Sequence, residues 1–201
     1  MSAAIRLALL DSGGANLGSV QAAFARLGLE APVTADPATI GRATHVVLPG
    51  VGAAASAMAR LRANGLADRI GKLSQPLLGI CIGMQLLFER SEEGDVDCLG
   101  LLPGTVSKLQ AAPGLRVPHM GWNTLQVSVD HPLAAGLDGE WAYFVHGYAA
   151  APGADTLACT EHGQGFSALV ARDAVMGAQF HPERSAAAGA RLLRNFLAIR
   201  A

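Results

Sequence analysis

The first half of the chain alternates short apolar runs with stretches whose apolar residues recur at helical spacing. A short apolar run that ends in turn residues predicts a buried strand, and apolar positions three and four apart predict a helix. The predicted strands are residues 5–10, 45–48 and 77–80, and the predicted helices are residues 16–27, 53–62 and 82–90. Strands that alternate with helices indicate a parallel sheet with helices on its faces.

The second half carries a series of short strand candidates, separated by turn residues such as His162-Gly163 and Arg172-Asp173. The candidates are residues 99–109, 124–129, 141–145, 156–159, 167–171 and 174–179, and a closing helix is predicted over residues 185–199. Closely spaced strands predict an antiparallel or mixed extension of the sheet. The predicted fold is α/β: one domain over residues 1–201, with a mostly parallel central sheet flanked by helices and an antiparallel extension.

Composition limits the kinds of partner that the chain is expected to have. Of its 201 residues, 51% are hydrophobic and 15% are charged, which is typical of a globular protein with a sizeable core. The formal net charge is -1, and no basic or acidic tract is present, so we expect neither nucleic acid nor a membrane as a partner. The apolar run near the N-terminus is short and interrupted by Arg6, which argues against a signal peptide.

One of the three cysteines has a sequence context that favours reactivity. Cys98 and Cys159 are isolated, and the three together form neither a CxxC pair nor a metal-ligand spacing, so we expect a metal-free cytoplasmic protein with reduced thiols. Cys81 lies between Gly79 and Gly83, where a predicted strand meets a predicted helix. Such a sharp turn strains its central residue and requires neighbours without bulk, and the helix N-terminus favours the reactive thiolate. The alternative is an ordinary buried cysteine.

The tripeptide His181-Pro182-Glu183 ends the predicted strand at residues 174–179. In an extended segment, residues two apart project to the same side, so His181 and Glu183 are predicted to point into one site. The histidine would act as base and acid, and the carboxylate would orient it. A solvated loop is the alternative for this tripeptide alone, but together with Cys81 it predicts a Cys-His-Glu triad.

A glycine-rich turn follows the predicted strand 45–48 and reads Pro49-Gly50-Val51-Gly52. Glycines there would let backbone N–H groups approach a developing oxyanion, and the N–H of Ile82 would be the second donor. The alternative is a simple turn before a helix.

Several motifs together resemble the class I glutamine amidotransferases. They are Leu48-Pro49-Gly50-Val51-Gly52, the segment Gly79-Ile80-Cys81-Ile82-Gly83-Met84-Gln85, and Gln179-Phe180-His181-Pro182-Glu183. Two further segments resemble, more narrowly, the glutaminase subunits of imidazole glycerol phosphate synthase in histidine biosynthesis: Val117-Pro118-His119-Met120-Gly121-Trp122-Asn123 and Tyr143-Phe144-Val145-His146-Gly147-Tyr148. The resemblance covers essentially the whole chain.

The resemblance implies a flavodoxin-like fold and a glutaminase that needs no cofactor. It implies Cys81 as the nucleophile, with His181 and Glu183 completing the triad, and it implies that Val51 and Gly52 shape the oxyanion strand. The implied substrate contacts are Gln85, Glu93 near the amino group, and the backbone of Gly147 and Tyr148 at the α-carboxylate end.

The resemblance also implies a heterodimer with a cyclase subunit that is a (β/α)₈ barrel. Ammonia from L-glutamine would pass to this cyclase, which makes imidazole glycerol phosphate and AICAR. The implied docking face comprises Asn16, Pro118, His119, Met120, Gly121, Trp122, Asn123 and Arg184.

The sequence departs from the family at three places. The first loop reads Ser12-Gly13-Gly14-Ala15, Gly147 replaces a common serine, and Arg184 replaces a common lysine. These departures leave the triad untouched and bear on substrate contact and partner gating. His45, His131 and His162 are interpreted as structural, and neither His119 nor His146 is assigned to the chemistry.

Three alternative functions are less favoured. The first alternative is the glutaminase subunit of pyridoxal phosphate synthase. That subfamily has a Gly-Gly-Glu-Ser sequence at the oxyanion position, whereas this chain has Gly50-Val51-Gly52-Ala53. A non-catalytic binding protein on the same fold would usually have lost the cysteine or the histidine, and both are present. The third alternative is a cysteine hydrolase or redox chaperone built on a related sheet. A glutaminase assay would distinguish it from a glutamine amidotransferase.

Overall fold

The structure is a computed structural model that describes residues 4–12 and 16–200. Its helices are α1 (Leu17–Ala25), α2 (Pro37–Arg42), α3 (Ala54–Ala63), α4 (Leu66–Ile70), α5 (Ile82–Gln85) and α6 (Ala186–Ala198). Its strands are β1 (Leu7–Leu10), β2 (Val33–Thr34), β3 (His45–Gly50), β4 (Leu77–Cys81), β5 (Arg90–Ser91), β6 (Val96–Asp97), β7 (Thr105–Lys108), β8 (His119–Thr124), β9 (Gln126–Val127), β10 (Trp141–His146), β11 (Tyr148–Ala150), β12 (Thr156–His162), β13 (Gln164–Arg172) and β14 (Val175–Ala178).

The central sheet has eight strands in the order β2-β1-β3-β4-β14-β13-β12-β9. Strands β2, β1, β3, β4 and β14 pair in parallel, and β13, β12 and β9 continue the sheet in antiparallel pairs. The fully buried patterns of β1, β3 and β4 explain their continuous apolar sequence, since the strands of a parallel sheet are covered on both faces. The predicted parallel sheet and its antiparallel extension are both confirmed.

Two smaller sheets contain two of the strand candidates, residues 99–109 and 141–145, that the sequence pattern had placed in the extension, together with strands that were not predicted. Strands β8 and β10 form an antiparallel ribbon, and β11, β7, β5 and β6 form a four-stranded sheet. The predicted strand 99–109 is a strand only over β7. Before it, the N–H groups of Leu99 and Leu101 bond to the carbonyls of Leu86 and Leu87, so this segment follows the chain after α5 instead of pairing as a strand.

The predicted helix 82–90 is wrong beyond Gln85. The next three side chains, Leu86, Leu87 and Phe88, are all buried, so no face is left for solvent. Their carbonyls accept hydrogen bonds from the segment at residues 99–102 instead of from the following helical turn. Tertiary hydrogen bonding therefore replaces the helix, and Arg90–Ser91 enters the small sheet as β5.

The closing helix α6 is confirmed and buries one apolar face, including Leu192, Leu193 and Phe196. Helix α2 was not foreseen, although its N-cap is a local signal: the Asp36 carboxylate accepts from the N–H groups of Ala38 and Thr39. Over the described ranges, no helix is long and apolar enough to cross a membrane.

Candidate active site

Cys81 is the last residue of the central strand β4 and stands at a sharp turn into α5. Its φ of 54° and ψ of -112° are rare for a residue with a side chain, and such strain is typical of functional sites. A Cβ added at Gly79 would lie 2.6 Å from the carbonyl oxygen of Gly83, and one at Gly83 would lie 1.8 Å from that of Leu48. The predicted need for neighbours without bulk is therefore confirmed.

His181 and Glu183 follow β14, which neighbours β4 in the sheet. The Nδ1 atom of His181 lies 2.8 Å from Oε1 of Glu183, so the predicted pairing is present. Residues 182–184 form a 3₁₀ turn instead of continuing the extended chain, and this turn brings the carboxylate to the ring. The backbone of His181 is fixed by its N–H bond to the Tyr143 carbonyl (2.9 Å) and by the Ser185 hydroxyl, which donates to the His181 carbonyl (2.7 Å).

The electrostatics of the site favour a charged His181 paired with a charged Glu183. Burial alone would lower the pKa of His181, but its hydrogen bonds to Cys81 and Glu183 outweigh burial and raise the pKa to about 10. Burial opposes ionisation of Glu183 too, yet the bonds from His181 and Asn16 hold the pKa of this carboxyl below its ordinary value. The Asn16 amide donates to Oε1 of Glu183 at 2.5 Å, so this residue, predicted for the docking face, supports the triad.

A cavity of about 280 Å³ opens beside Cys81 and His181. Its other lining residues are Val51, Gly52, Ile82, Gln85, Glu93, Pro118, Val145, His146, Gly147 and Tyr148. All the residues predicted for the oxyanion and substrate contacts are therefore gathered here, with the exception of Gly50, which pairs with Cys81 in the sheet. Gly52 has a φ of +93°, a conformation that only glycine adopts readily. A glycine is therefore needed where the chain turns after strand β3.

The first loop, whose sequence departs from that of the family, contacts the end of strand β3. The Ser12 hydroxyl donates to the carbonyl of Pro49 and so ties the first loop to the oxyanion turn. The remainder of that departure, Gly13-Gly14-Ala15, lies outside the described residues.

Gln85 is held in one orientation by its partners. Its Nε2 atom donates to the Tyr148 carbonyl at 2.8 Å and to Oε1 of Gln179 at 3.0 Å. Its Oε1 atom is buried and has no hydrogen-bond partner among the described residues. Glu93 is also engaged, because its Oε2 accepts from the N–H of Ala54 at the start of α3 (2.9 Å).

Sequence reasoning missed two residues of the site. Gln179 is fully buried, and its amide nitrogen lies 3.9 Å from the sulfur of Cys81. His146 was not assigned to the chemistry, yet it lines the cavity. A buried polar residue two positions before a predicted catalytic histidine was a usable signal for Gln179. No comparable signal existed for His146, whose position depends on how β10 and β11 are placed.

The predicted docking face is divided by the alternation of strand β8. Met120 and Trp122 are exposed (65% and 49%), and Trp141 on the neighbouring strand β10 is exposed as well (57%). His119 is only 4% exposed, because successive residues of a strand face opposite ways, so its side chain lies away from the exposed surface that Met120 and Trp122 form. Near Trp122 the edge of the Tyr143 ring packs at 5.9 Å between centroids.

A second cavity, of about 360 Å³, also borders His181. Val51, Val145 and His181 line both cavities. Asn16 and Arg184, two of the residues predicted for the docking face, line the second one. The triad histidine therefore borders both the substrate-sized cavity and one lined by predicted docking residues.

The strained cysteine with its His-Glu pair, on a parallel sheet with an antiparallel extension, defines the class. Residues 8–199 match the family described as glutamine amidotransferase class-I, and the chain belongs to this family. Within it, the chain belongs with proteins named "Imidazole glycerol phosphate synthase subunit HisH". It is 61% identical to that of Xanthomonas campestris pv. campestris (strain 8004) and 55% identical to that of Xylella fastidiosa (strain Temecula1 / ATCC 700964), each alignment covering 95% of this chain and 96% of the relative.

Two solved structures share the fold. One, described as a glutamine amidotransferase, superposes with a TM-score of 0.75 at 24% identity, covering 96% of this chain and 97% of that one. The other, PurLQS from Thermotoga maritima, superposes with a TM-score of 0.70 at 20% identity, again covering 96% and 97%. The α/β architecture is thus shared with proteins of low sequence identity.

Proposed function

We propose that this chain is the glutaminase subunit of an imidazole glycerol phosphate synthase, and that it hydrolyses L-glutamine to glutamate and ammonia. The observation that carries the proposal is the strained Cys81 at the wall of a cavity that His181 also lines, with His181 paired to Glu183. The name shared by these relatives, one of which is 61% identical over 95% of this chain, supports this choice over the glutaminase subunits of other synthases.

The first half of the proposed reaction forms a thioester. The Cys81 thiolate attacks the side-chain carbonyl carbon of glutamine, and the electrons of the C=O bond move onto the oxygen. Backbone N–H groups of Ile82 and of the Val51–Gly52 turn stabilise this oxyanion. The tetrahedral intermediate collapses, His181 gives its proton to the leaving nitrogen, and ammonia departs while the acyl group stays on sulfur.

The second half releases glutamate. Neutral His181 takes a proton from water, the resulting hydroxide attacks the thioester carbonyl, and the carbon–sulfur bond breaks to regenerate the thiolate and the imidazolium. Glu183 holds the Nδ1–H side of the ring throughout, so the other ring nitrogen faces the sulfur and the substrate. No step requires a metal or an organic cofactor.

The ammonia is proposed to leave toward a partner subunit. Ammonia released into water at neutral pH is mostly protonated, and ammonium is a poor nucleophile, so a synthase gains from direct transfer. The second cavity is lined by His181 and by Asn16 and Arg184, two residues of the predicted docking face, which supports an exit at that face. By resemblance, the partner is a (β/α)₈-barrel cyclase, and the exposed Met120, Trp122 and Trp141 offer it an apolar anchor.

The test compares glutamate formation by the purified chain alone with formation in the presence of the cyclase and its nucleotide ligand. We expect slow hydrolysis by the lone chain and a rate higher by about 10²–10³ in the ligand-bound complex, the effect of completing an oxyanion hole. If neither state produced glutamate from glutamine, the proposed function would be wrong.

A further inference from the structure

Two histidines outside the triad form a buried pair that ends on the wall of the substrate cavity. The Nδ1 atom of His146 lies 2.9 Å from the carbonyl oxygen of Tyr148, and its Nε2 atom lies 3.3 Å from Nδ1 of His119. The Nε2 atom of His119 in turn lies 3.4 Å from the amide nitrogen of Asn123. Both imidazoles are buried, and the edge of the Phe166 ring packs on His146 with the centroids 4.8 Å apart.

The Tyr148 carbonyl at one end of this series of hydrogen bonds fixes the direction of every bond in it. A carbonyl oxygen can only accept, so the proton of His146 must be on Nδ1, which leaves Nε2 as an acceptor. His119 must then donate from Nδ1, and its own Nε2 accepts from Asn123. Burial keeps both rings neutral, as this arrangement requires: burial, with a smaller contribution from His162, lowers the pKa of His119 to about 4, and burial lowers the pKa of His146 to about 3.

The accepting carbonyl lies directly after the Gly147–Tyr148 backbone, which the resemblance assigns to the α-carboxylate end of glutamine. Tyr148 and Gly147 line the cavity, and Gln85 donates to the same carbonyl from the other direction at 2.8 Å. Two donors on one carbonyl fix the plane of the peptide that joins Tyr148 to Ala149 and steady the backbone before it. A leucine or phenylalanine at position 146 would fill the same volume but would leave Gln85 as the only donor.

We propose that His146 is a positioning residue for glutamine, and that it holds the Gly147–Tyr148 backbone through the Tyr148 carbonyl in a tautomer imposed by His119. This inference rests on the proposed function, because it assigns the ordered backbone to the α-carboxylate end of glutamine. It predicts an effect on glutamine affinity without a direct part in bond making.

The binding test uses the full chain in complex with the cyclase, with Cys81→Ala to stop turnover, and measures the Kd for glutamine by calorimetry. Because the side-chain nitrogen of asparagine reaches the place of Nδ1, His146→Asn keeps the donor, whereas His146→Leu and His146→Gln do not. We expect Leu and Gln to raise the Kd about three- to tenfold, the effect of losing one hydrogen bond, and Asn to stay within about twofold. Equal Kd values for the parent and Leu variants, or an Asn variant no better than Leu, would overturn the inference.

A spectroscopic test uses the unsubstituted chain and needs no activity. Long-range ¹H–¹⁵N correlation spectra report which imidazole nitrogen carries the proton. We expect Nδ1–H forms for His119 and His146 between pH 6 and 8, and an Nε2–H form for His45, whose Nε2 atom faces a backbone carbonyl at 2.9 Å. An Nε2–H form of His146 would refute the inference. Failure of the Cys81→Ala complex to bind any glutamine would count against the proposed function instead.

Discussion

Selective labelling of Cys81 follows from how differently the structure treats the three thiols. Burial is the main cause that raises the pKa of Cys98 to about 11, and burial also raises the pKa of Cys159. At pH 7.5 a thiol of pKa about 11 is roughly 0.03% thiolate, whereas an ordinary cysteine of pKa about 8.5 is roughly 10% thiolate. Cys98 should therefore react about 300-fold more slowly than an unperturbed cysteine, since the thiolate is the nucleophile.

Cys81 differs in both geometry and charge. Its sulfur borders the substrate cavity, and the neighbouring His181 is held in its charged form, a positive charge of the kind found beside reactive cysteines. A chloroketone analogue of glutamine should consequently alkylate Cys81 at neutral pH.

The assay treats the chain with one equivalent of the analogue at pH 7.5, digests it and locates the added mass by mass spectrometry. His181→Ala is the matched variant, and we expect it to slow labelling of Cys81 without redirecting it to another thiol. Free glutamine in excess should protect Cys81. Label found mainly on Cys98 or Cys159 would refute the reasoning, because it would place the reactive thiol away from the cavity.

Three further predictions concern the triad, the docking face and the sharp strand-to-helix turn at Cys81, which we call the elbow. Glu183→Gln should keep the fold and lower glutaminase turnover by about 10²-fold, and His181→Ala should lower it by up to about 10⁴-fold, both measured as glutamate formation in the complex. Gly83→Ala should destabilise the fold by about 3 kcal/mol or more in chemical denaturation, because its Cβ would lie 1.8 Å from a backbone carbonyl oxygen. Gly147→Ala should stay within about 0.5 kcal/mol, since its Cβ would meet nothing closer than 3.9 Å. Trp122→Ala should weaken cyclase binding by more than about tenfold and reduce the partner's activation of glutamine hydrolysis.

Each of these predictions has an outcome that contradicts it. Wild-type turnover by His181→Ala in the assembled complex would exclude the triad. Equal stabilities of the two glycine variants would show that the close packing around the elbow does not constrain it. Full cyclase affinity of Trp122→Ala would place the docking face elsewhere.

Local sequence patterns predicted the catalytic geometry because the elbow is a local device. Gly79 and Gly83 flank Cys81 within one strand-to-helix turn, and the structure packs backbone against both glycines. The parallel strands were predictable for a related reason: a strand buried on both faces, such as β3 or β4, has a continuous apolar sequence.

The elements that were missed depend on contacts between distant segments. The chain from Leu86 to Phe88 has a helical sequence pattern, but its carbonyls bond to residues 99–102, and no local signal encodes that pairing. Strand β8 lacks the continuous apolar run of a buried strand, because His119, Gly121 and Asn123 interrupt it. The strand is held by its ladder to β10. For the same reason the site role of His146 emerged only when β10 and β11 were placed beside the cavity.

In the proposed function, Cys81 hydrolyses glutamine for a partner that consumes the ammonia. The most direct measurement compares wild type with Cys81→Ala in the reconstituted complex, with synthesis of the cyclase product driven either by glutamine or by added ammonium. We predict that Cys81→Ala abolishes glutamine-driven synthesis and glutamate formation, while ammonium-driven synthesis proceeds at the wild-type rate. Glutamine-driven synthesis at the wild-type rate in Cys81→Ala would contradict the account.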